Sequence, residues 1–407
     1  MKPVKTVTQQ AWMDNAALKA VMAALGDGNA LIVGGAVRSA ILNEALGDID
    51  IATKLIPDEV TKRLESAGLK VVPTGIAHGT VTAVADRQGF EITTLRKDVE
   101  TDGRRAVVAF TDDWKTDVER RDFTMNTLLM DMSGRVFDLT GTGIDDLENG
   151  IVRFVGDPDT RIAEDALRIL RFFRFHARYG KGDPDQNAFS ACVRGARLIE
   201  NLSRERITQE LVRIFPANGS GVSISAMISG GIMPGFWSSS FDLGTYEMLY
   251  VTAVNGQISS FEILLFAYTI YDADPRVVDE KIAKYLSLSN RQKEYIVQCM
   301  KFVREHADTI QKNLYLFGRD VTLGGTLLLN TINVQSNDST ALQALVEAIG
   351  EIPIPVLPIK AGDVMSVAKI PQGPELGVAM RKVESWWLSE NTKPDREQCL
   401  DYVRKMQ

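Results

Sequence analysis

The chain has 407 residues, 45% of them apolar, and a formal net charge of −7, which is too long for one ordinary domain and rich enough for two to four packed cores. No run of eighteen apolar residues suggests a membrane span, and the start Met1-Lys2-Pro3-Val4-Lys5 lacks the apolar region of a secretory signal. Three scattered cysteines, Cys192, Cys299 and Cys399, argue against a disulfide framework or a structural zinc site, so a reducing cytoplasm is expected, while the acidic balance argues only weakly against nucleic acid because it leaves a local basic surface open.

Up to about residue 145, short β-rich runs alternate with turns and helical stretches. Strands are predicted over 31–33, 48–52, 80–85, 90–95, 106–110 and 135–138, and helices over 12–26, 36–45, 57–67 and 122–130. The first strand, Leu31-Ile32-Val33, runs into Gly34-Gly35, a pair that lets the backbone approach something bulky and anionic. The helix that follows turns its free N–H groups toward the same anion. In Asp48-Ile49-Asp50 a strand period of two puts both carboxylates on one face and Ile49 on the other. Two carboxylates on one face repel unless a cation lies between them, and Mg²⁺ prefers carboxylate and phosphate oxygens. Singly, Gly-Gly is a turn and Asp-x-Asp a solvated strand end. In this order they resemble the signature of the polymerase-β-like nucleotidyltransferase superfamily.

Further along, Glu91 stands in an alternating segment, Phe90-Glu91-Ile92-Thr93-Thr94-Leu95-Arg96, and would face the Asp pair. It would either complete a metal shell or accept the proton of an attacking hydroxyl. Residues 97–105 are charged and contain glycine, and read as a mobile loop beside the site. In Arg120-Arg121-Asp122-Phe123-Thr124-Met125-Asn126, Asp122 is expected as the N-cap of a helix starting at Phe123, with Arg121 free for phosphates or a ribose.

From about 160 onward helical periodicity dominates, with joints at Gly219-Ser220-Gly221, Gly230-Gly231 and 353–358. The helix predicted over Arg161–Phe175 puts Ile162, Ala166, Ile169, Leu170, Phe173 and Ala177 on a core stripe. Glu164, Asp165, Arg168, Arg171, Arg174 and Arg178 share the other side. Such a face is commonly solvated and laced with pairs such as Asp165–Arg168 and Glu164–Arg168. Four arginines and no lysine suggest more, because a guanidinium fork suits phosphates and base edges. Cytosine and adenine both present an amino donor beside a ring acceptor. A carboxylate and a guanidinium, Asp165 and Arg168, match that order and mismatch uracil and guanine at about 1–3 kcal/mol per unpaired buried group.

Together these strings resemble class II tRNA nucleotidyltransferases, the CCA-adding enzymes. The resemblance rests on Val33-Gly34-Gly35-Ala36-Val37-Arg38, Gly47-Asp48-Ile49-Asp50-Ile51-Ala52-Thr53, Glu91-Ile92-Thr93-Thr94-Leu95-Arg96, Arg120–Asn126 and Glu164-Asp165-Ala166-Leu167-Arg168-Ile169-Leu170-Arg171, with Ser203-Arg204-Glu205-Arg206-Ile207 as a further short motif. It covers roughly the first 215 residues. It implies an α+β head with a mixed sheet and helices (1–145), followed by an all-α neck (146–215), body (216–290) and tail (291–407), the tail contacting tRNA. It further implies Mg²⁺ at Asp48 and Asp50 with Glu91 assisting, and nucleotide contacts from Gly35, Arg38 and Arg121. Asp165 and Arg168 would read the base, Arg171 and Arg174 would hold phosphates, and 97–105 would be the lever that switches C to A addition. The implied partners are tRNA, CTP and ATP, with no DNA, membrane or protein partner. Ser39 departs from the aspartate common at that position, which puts local loop stability in question. With three histidines, His78, His176 and His306, and no His-Asp pair, a fused metal phosphohydrolase is not expected. Ile370–Gly377 resembles a glycine-proline turn before a tail helix, and Trp386-Trp387 reads as a core anchor. The rival readings are a poly(A) polymerase of the same superfamily, disfavoured by the mixed-charge end Asp395–Gln407, and an inactive RNA-binding module, disfavoured by the intact Asp48 and Asp50.

Overall fold

The computed structural model describes residues 1–76, 79–102, 105–239, 241–255, 261–272, 274–333 and 339–406; His78 lies outside them. The chain divides into two compact units, Met1–Pro234 and Gly235–Gln407.

The first unit is built on a mixed sheet. Its strands are β1 (Lys5–Thr6), β2 (Ala30–Val33), β3 (Asp50–Thr53), β4 (Lys70–Gly75), β5 (Thr80–Ala85), β6 (Gln88–Thr94), β9 (Leu129–Met130) and β10 (Arg135–Phe137), with β7 (Arg96–Asp102) and β8 (Arg105–Phe110) forming a separate ribbon. The order is β1-β10-β9-β2-β3-β6-β5-β4, and only the β3–β6 pair is parallel. Helices α1 (Ala16–Leu25) and α3 (Pro57–Ser66) cover one face, where Leu18, Val21, Leu25, Val60 and Leu64 pack on Ile51, Val81 and Ile92. The other face buries Leu31, Val33, Ala52 and Leu95 under Trp114 and Val118 of α4 (Trp114–Glu119). After α2 (Gly35–Leu42) and α5 (Gly143–Asn149) come α6 (Pro158–Glu164), α7 (Leu167–Tyr179), α8 (Gln186–Gly195), α9 (Arg204–Ile214) and α10 (Ser220–Ser229). Among the described residues no strand follows Phe137.

Four expectations are corrected. Residues 122–130 are not a helix: a single 3₁₀ turn, Thr124–Asn126, leads into β9. The run is held instead by tertiary contacts, because Phe123 bridges to Phe154 and its ring lies 5.2 Å from that of Phe175. The helix over 161–175 is broken: Asp165 takes extended angles (φ −155, ψ 106) between α6 and α7. Asp48 precedes β3 and lies outside its pleat, so strand alternation does not place it. Finally, 97–102 and 105 are strand backbone in the antiparallel ribbon, not a loop, with 103 and 104 outside the described residues. The apolar, β-branched run of β8 supplies a pairing edge that the charged sequence of β7 lacks by itself.

The second unit is helical: α11 (Leu243–Asn255), α12 (Phe261–Ile270), α13 (Pro275–Tyr285), α14 (Asn290–Glu305), α15 (Ile310–Asn333), α16 (Ser339–Glu351), α17 (Ala361–Ala368), α18 (Pro374–Ser389) and α19 (Arg396–Lys405). Gly318 breaks α15 with φ 74. The Gly373-Pro374 turn starts α18, where proline suits the first helical position. Trp387 is the buried anchor, its indole N–H donating to the Pro394 carbonyl at 3.0 Å, while Trp386 stacks on Tyr402 at 4.3 Å.

Candidate functional site

Strand β2 is followed by Gly34, which caps α2 at φ 70 and ψ −131, a region that L side chains rarely adopt. A Cβ there would also meet Asp50 Oδ2 at 3.2 Å, so glycine lets the turn pass over that carboxylate. Asp50 opens β3 and is paired in register with Glu91 on the parallel strand β6. Parallel partners in register share a face, so the two carboxylates stand side by side. Burial pushes the Asp50 carboxyl up to about 6, and the neighbouring Glu91 and then Asp48 push in the same direction, against Arg38 and Arg121. Asp48 is exposed, just ahead of the strand. Among the described residues no three carboxylate, histidine or cysteine side chains are gathered to hold a metal unaided. Magnesium commonly takes only one or two protein carboxylates and fills its octahedron with water and substrate phosphate. An anionic, oxygen-only set in which burial and two neighbouring carboxylates disfavour the ionisation of Asp50 fits that demand.

Facing this edge is a cleft of about 510 Å³ lined by Gly34, Gly35 and Asp50 together with seven arginines (38, 120, 121, 168, 171, 174 and 206) and two further aspartates, Asp122 and Asp165. It therefore brings together Asp50 and every residue expected to contact the nucleotide (Gly35, Arg38, Arg121, Asp165, Arg168, Arg171 and Arg174), while Asp48 and Glu91 stand beside Asp50 without lining it and Glu164 and Arg178 lie outside it. The acidic chain thus concentrates cations at one place.

Carboxylates hold these arginines in position. Arg38, buried in α2, donates to Asn126 Oδ1, and Asn126 Nδ2 donates to Asp122 Oδ1 at 2.8 Å. Asp122 Oδ2 accepts from Arg171 Nε at 2.7 Å. Asp122 is therefore no N-cap but the junction of a chain from α2 to α7. Burial would raise its carboxyl, yet Arg171 and Asn126 hold it below the ordinary carboxylate range. Arg121 is not free: Asp117 of α4 accepts from its Nε and Nη2 at 3.2 and 2.9 Å, and from Arg120 through its other oxygen. Asp117 is only 2% exposed, and the two guanidinium groups outweigh its burial and keep its carboxyl low. Arg174 pairs with buried Glu210 of α9 at 3.0 Å.

Asp165 and Arg168 do not pair with each other. The break before α7 lets Asp165 Oδ1 accept from the Leu167 N–H at 3.1 Å and Oδ2 from Arg206 Nη2 at 2.7 Å. Arg168 pairs with Glu164 and donates to the Arg161 carbonyl at 2.8 Å. Each keeps spare capacity, since a carboxylate has about four acceptor sites and a guanidinium five donors. Ser39, buried in α2, has a carbonyl that accepts from the Asn43 and Glu44 N–H groups, so this turn closes through its backbone.

Sequence reading missed Asp117 and Glu210 as supports. For Asp117 the signal was present, since it lies three and four residues before Arg120 and Arg121. Glu210 gave none, because its partner lies 36 positions away and is met only through helix packing.

The poly A polymerase head domain family matches residues 30–153. The human mitochondrial CCA tRNA nucleotidyltransferase 1 is 30% identical over 92% of this chain and 86% of its own length. The CCA-adding enzyme of Streptococcus sanguinis is 31% identical over 92% of this chain and 93% of its own. Among solved structures, the Bacillus stearothermophilus CCA-adding enzyme in complex with CTP superposes with a TM-score of 0.69 at 22% identity, over 98% of both chains. That last likeness is one of fold.

Proposed function

The chain belongs to the CCA-adding enzyme family, and from that premise we propose how its own residues carry the reaction. It is an RNA nucleotidyltransferase that adds C, C and A to the 3′ end of tRNA from CTP and ATP. One observation carries the assignment of roles: a single cleft joins the Gly34-Gly35 turn and Asp50 to seven arginines and to Asp165.

In this reading Asp48 and Asp50 hold Mg²⁺, with Glu91 beside them as metal-shell partner or proton acceptor. The metal, when bound, lowers the charge on the triphosphate and favours the ionised 3′-hydroxyl. The Gly35 backbone, Arg38 and Arg121 receive the triphosphate and sugar, and Arg171 and Arg174 hold phosphate oxygens. The tRNA 3′-oxygen attacks the α-phosphorus in line, a new phosphodiester forms, and pyrophosphate leaves with the bridging electron pair. Asp165 accepts from the base amino group and Arg168 donates to the ring nitrogen, so the protein takes the place of a nucleic-acid template. Arg206 and Glu164 hold these two side chains apart with their spare acceptor and donor sites turned to the base. The β7–β8 ribbon serves as the lever between C and A addition. The four-part division 1–145, 146–215, 216–290 and 291–407 follows the same reading, with tRNA held along the helical parts by shape and backbone. Among the described residues no helix is long and apolar enough to cross a membrane. Three free, buried thiols suit the proposed cytoplasmic location.

The test is incubation of the protein with Mg²⁺ and tRNA transcripts ending at the discriminator base, at -C or at -CC, with each nucleotide alone and then CTP with ATP. Addition that completes CCA and stops, with UTP and GTP refused, is the expected result. A long A-tail on any RNA, or no dependence on the metal, would overturn it.

A further inference from the structure

Beside the nucleotide cleft lies a second one, of about 550 Å³, within the range of about 300–1,000 Å³ that small ligands occupy. It is walled by the C-terminal half of α7, the end of α9 and the turn at 216–218, with Glu44 after α2. Arg38, Arg174 and Phe175 line both clefts and form the partition between them.

We propose that this second cleft is a feedback site for inorganic pyrophosphate, the compact diphosphate that nucleotidyl transfer releases, and that an anion held there loosens the nucleotide by engaging Arg38 and Arg174 from the far side. The source of the ligand rests on the nucleotidyl-transfer reading above, and the site itself rests on charge and geometry.

Four arginines and one glutamate line the cleft, which leaves it cationic. The glutamate offsets little. Glu44 accepts from Arg178 Nη2 at 3.2 Å, but both side chains are exposed, and such a pair is worth about 0–1 kcal/mol. Arg213 is exposed and makes no ion pair among the described residues. Burial pulls the Arg174 guanidinium below the ordinary arginine value, and the neighbouring Arg171 and Arg213 pull the same way, against Glu210. An anion among Arg174, Arg178 and Arg213 relieves that repulsion.

The rings select the kind of anion. Arg174 and Arg38 lie over Phe175 at 4.8 and 5.2 Å, and Arg38 and Arg178 lie over Tyr179 at 5.3 and 5.7 Å. Guanidinium groups thus occupy the ring surfaces on which a base would stack. A guanidinium held over a ring still has its N–H edge to offer, and several such edges around one space suit phosphate oxygens. The cleft has neither the glycine turn nor the Asp50 edge, so it suits a diphosphate without the nucleoside and metal of the first cleft. Coupling follows from the partition. Arg38 and Arg174 are the groups assigned above to the incoming phosphates, and anions on its two sides compete for their donors, so each ligand weakens the other.

The test is calorimetric titration of inorganic pyrophosphate into protein saturated with CTP in matched Mg²⁺, with no RNA present, so that no transfer occurs. Wild type is compared with Arg178→Ala/Arg213→Ala and Arg178→Lys/Arg213→Lys, all exposed positions whose replacement leaves the core intact. Wild type is expected to take up pyrophosphate while CTP stays bound, each ligand weakening the other by the same factor, about fivefold or more. The alanine pair should bind that pyrophosphate at least about tenfold more weakly, with CTP affinity unchanged in its absence, and the lysine pair should fall between. Pyrophosphate that only displaces CTP, or that binds the alanine pair as tightly as wild type, would overturn the proposal. So would an alanine pair that keeps its pyrophosphate affinity and loses affinity for a tRNA ending in -C, since the anion recognised would then be an RNA phosphate. Wild-type protein that elongates no RNA would overturn the nucleotidyl-transfer reading, while the titration would still decide the cleft.

Discussion

Asp50 illustrates how far one side chain depends on its neighbours. Its carboxyl is raised first by burial and then by the neighbouring Glu91 and Asp48, and a divalent cation bound there would offset both. Asp50→Asn is expected to lower kcat by about a thousandfold while the protein unfolds at the same temperature or higher, since removing a repelled charge does not weaken the fold. Retained turnover would sink the metal assignment. Arg168→Ala is expected to relax base choice by about one to two orders of magnitude in the ratio of kcat/KM for CTP over UTP, the worth of one lost buried hydrogen bond. A uniform loss on all nucleotides would instead mean that Arg168 holds phosphate. Asp122 carries a stability prediction with a definite sign. Its folded carboxyl is held below the unfolded value of 3.8, so its contribution is fully present above about pH 4 and is lost as pH falls through the folded value. Asp122→Asn should therefore cost about 3–5 kcal/mol at neutral pH, as expected when a buried pair loses one partner, and the gap to wild type should close in acid urea titrations. A gap that does not narrow below pH 4 would remove Arg171 as its cause. Of these groups, the nearness of Asp50 to Glu91 and the shared cleft of Asp165 and Arg168 were legible in the sequence, whereas the alternation expected to place Asp48 does not hold, because Asp48 precedes the strand. What was not legible was their state of pairing: Arg206, not Arg168, is the partner of Asp165, because a break in the helix turned that carboxylate toward α9.

At the scale of elements, the sequence was most readable where periodicity acts alone. The pattern of β2, β5 and β6 and of α1 and α3 followed from alternation and amphipathic spacing. It misled where tertiary contacts overrule local preference. Asp122–Met130 has helix-like spacing, but Phe123 is drawn into the rings of Phe154 and Phe175, and the segment is spent on a 3₁₀ turn and a short strand paired on both sides within the sheet. Strand β8 is expected over 106–110, but β7 escapes because a charged strand is recognised only beside the partner that pairs with it. The ribbon pairs with no strand of the main sheet, and its base is tied to the head where the Arg96 backbone meets Asp117 and Arg120. Replacing 98–108 with a short Gly-Ser linker should leave thermal stability within a few degrees and CC addition intact, while AMP addition to tRNA ending in -CC falls by two orders of magnitude or more. Equal loss of both steps would show that the ribbon helps transfer in general and is no switch.

For the whole molecule, the division at Pro234 has a functional consequence. Every residue of the nucleotide cleft belongs to the first unit, and so do the carboxylates that fix its arginines: Asp117 and Asp122, Glu164 and Glu210. Within that unit α9 packs on α7 and the sheet is covered on both faces. A fragment ending at Pro234 should therefore fold cooperatively and bind CTP within about threefold of the full chain, because no contact that orients the base or the triphosphate is removed. RNA is another matter. A tRNA is far larger than the cleft, and its recognition by shape needs backbone contacts spread over a long surface, proposed above to include the tail 291–407, which the fragment lacks. The fragment's affinity for full-length tRNA should drop by at least about tenfold while its affinity for a trinucleotide ending in -CC is unchanged. Calorimetric titration with CTP and anisotropy with the two RNAs separate the cases. Loss of CTP binding would mean that the second unit completes the nucleotide site, and equal affinity of fragment and full chain for tRNA would remove the second unit from recognition.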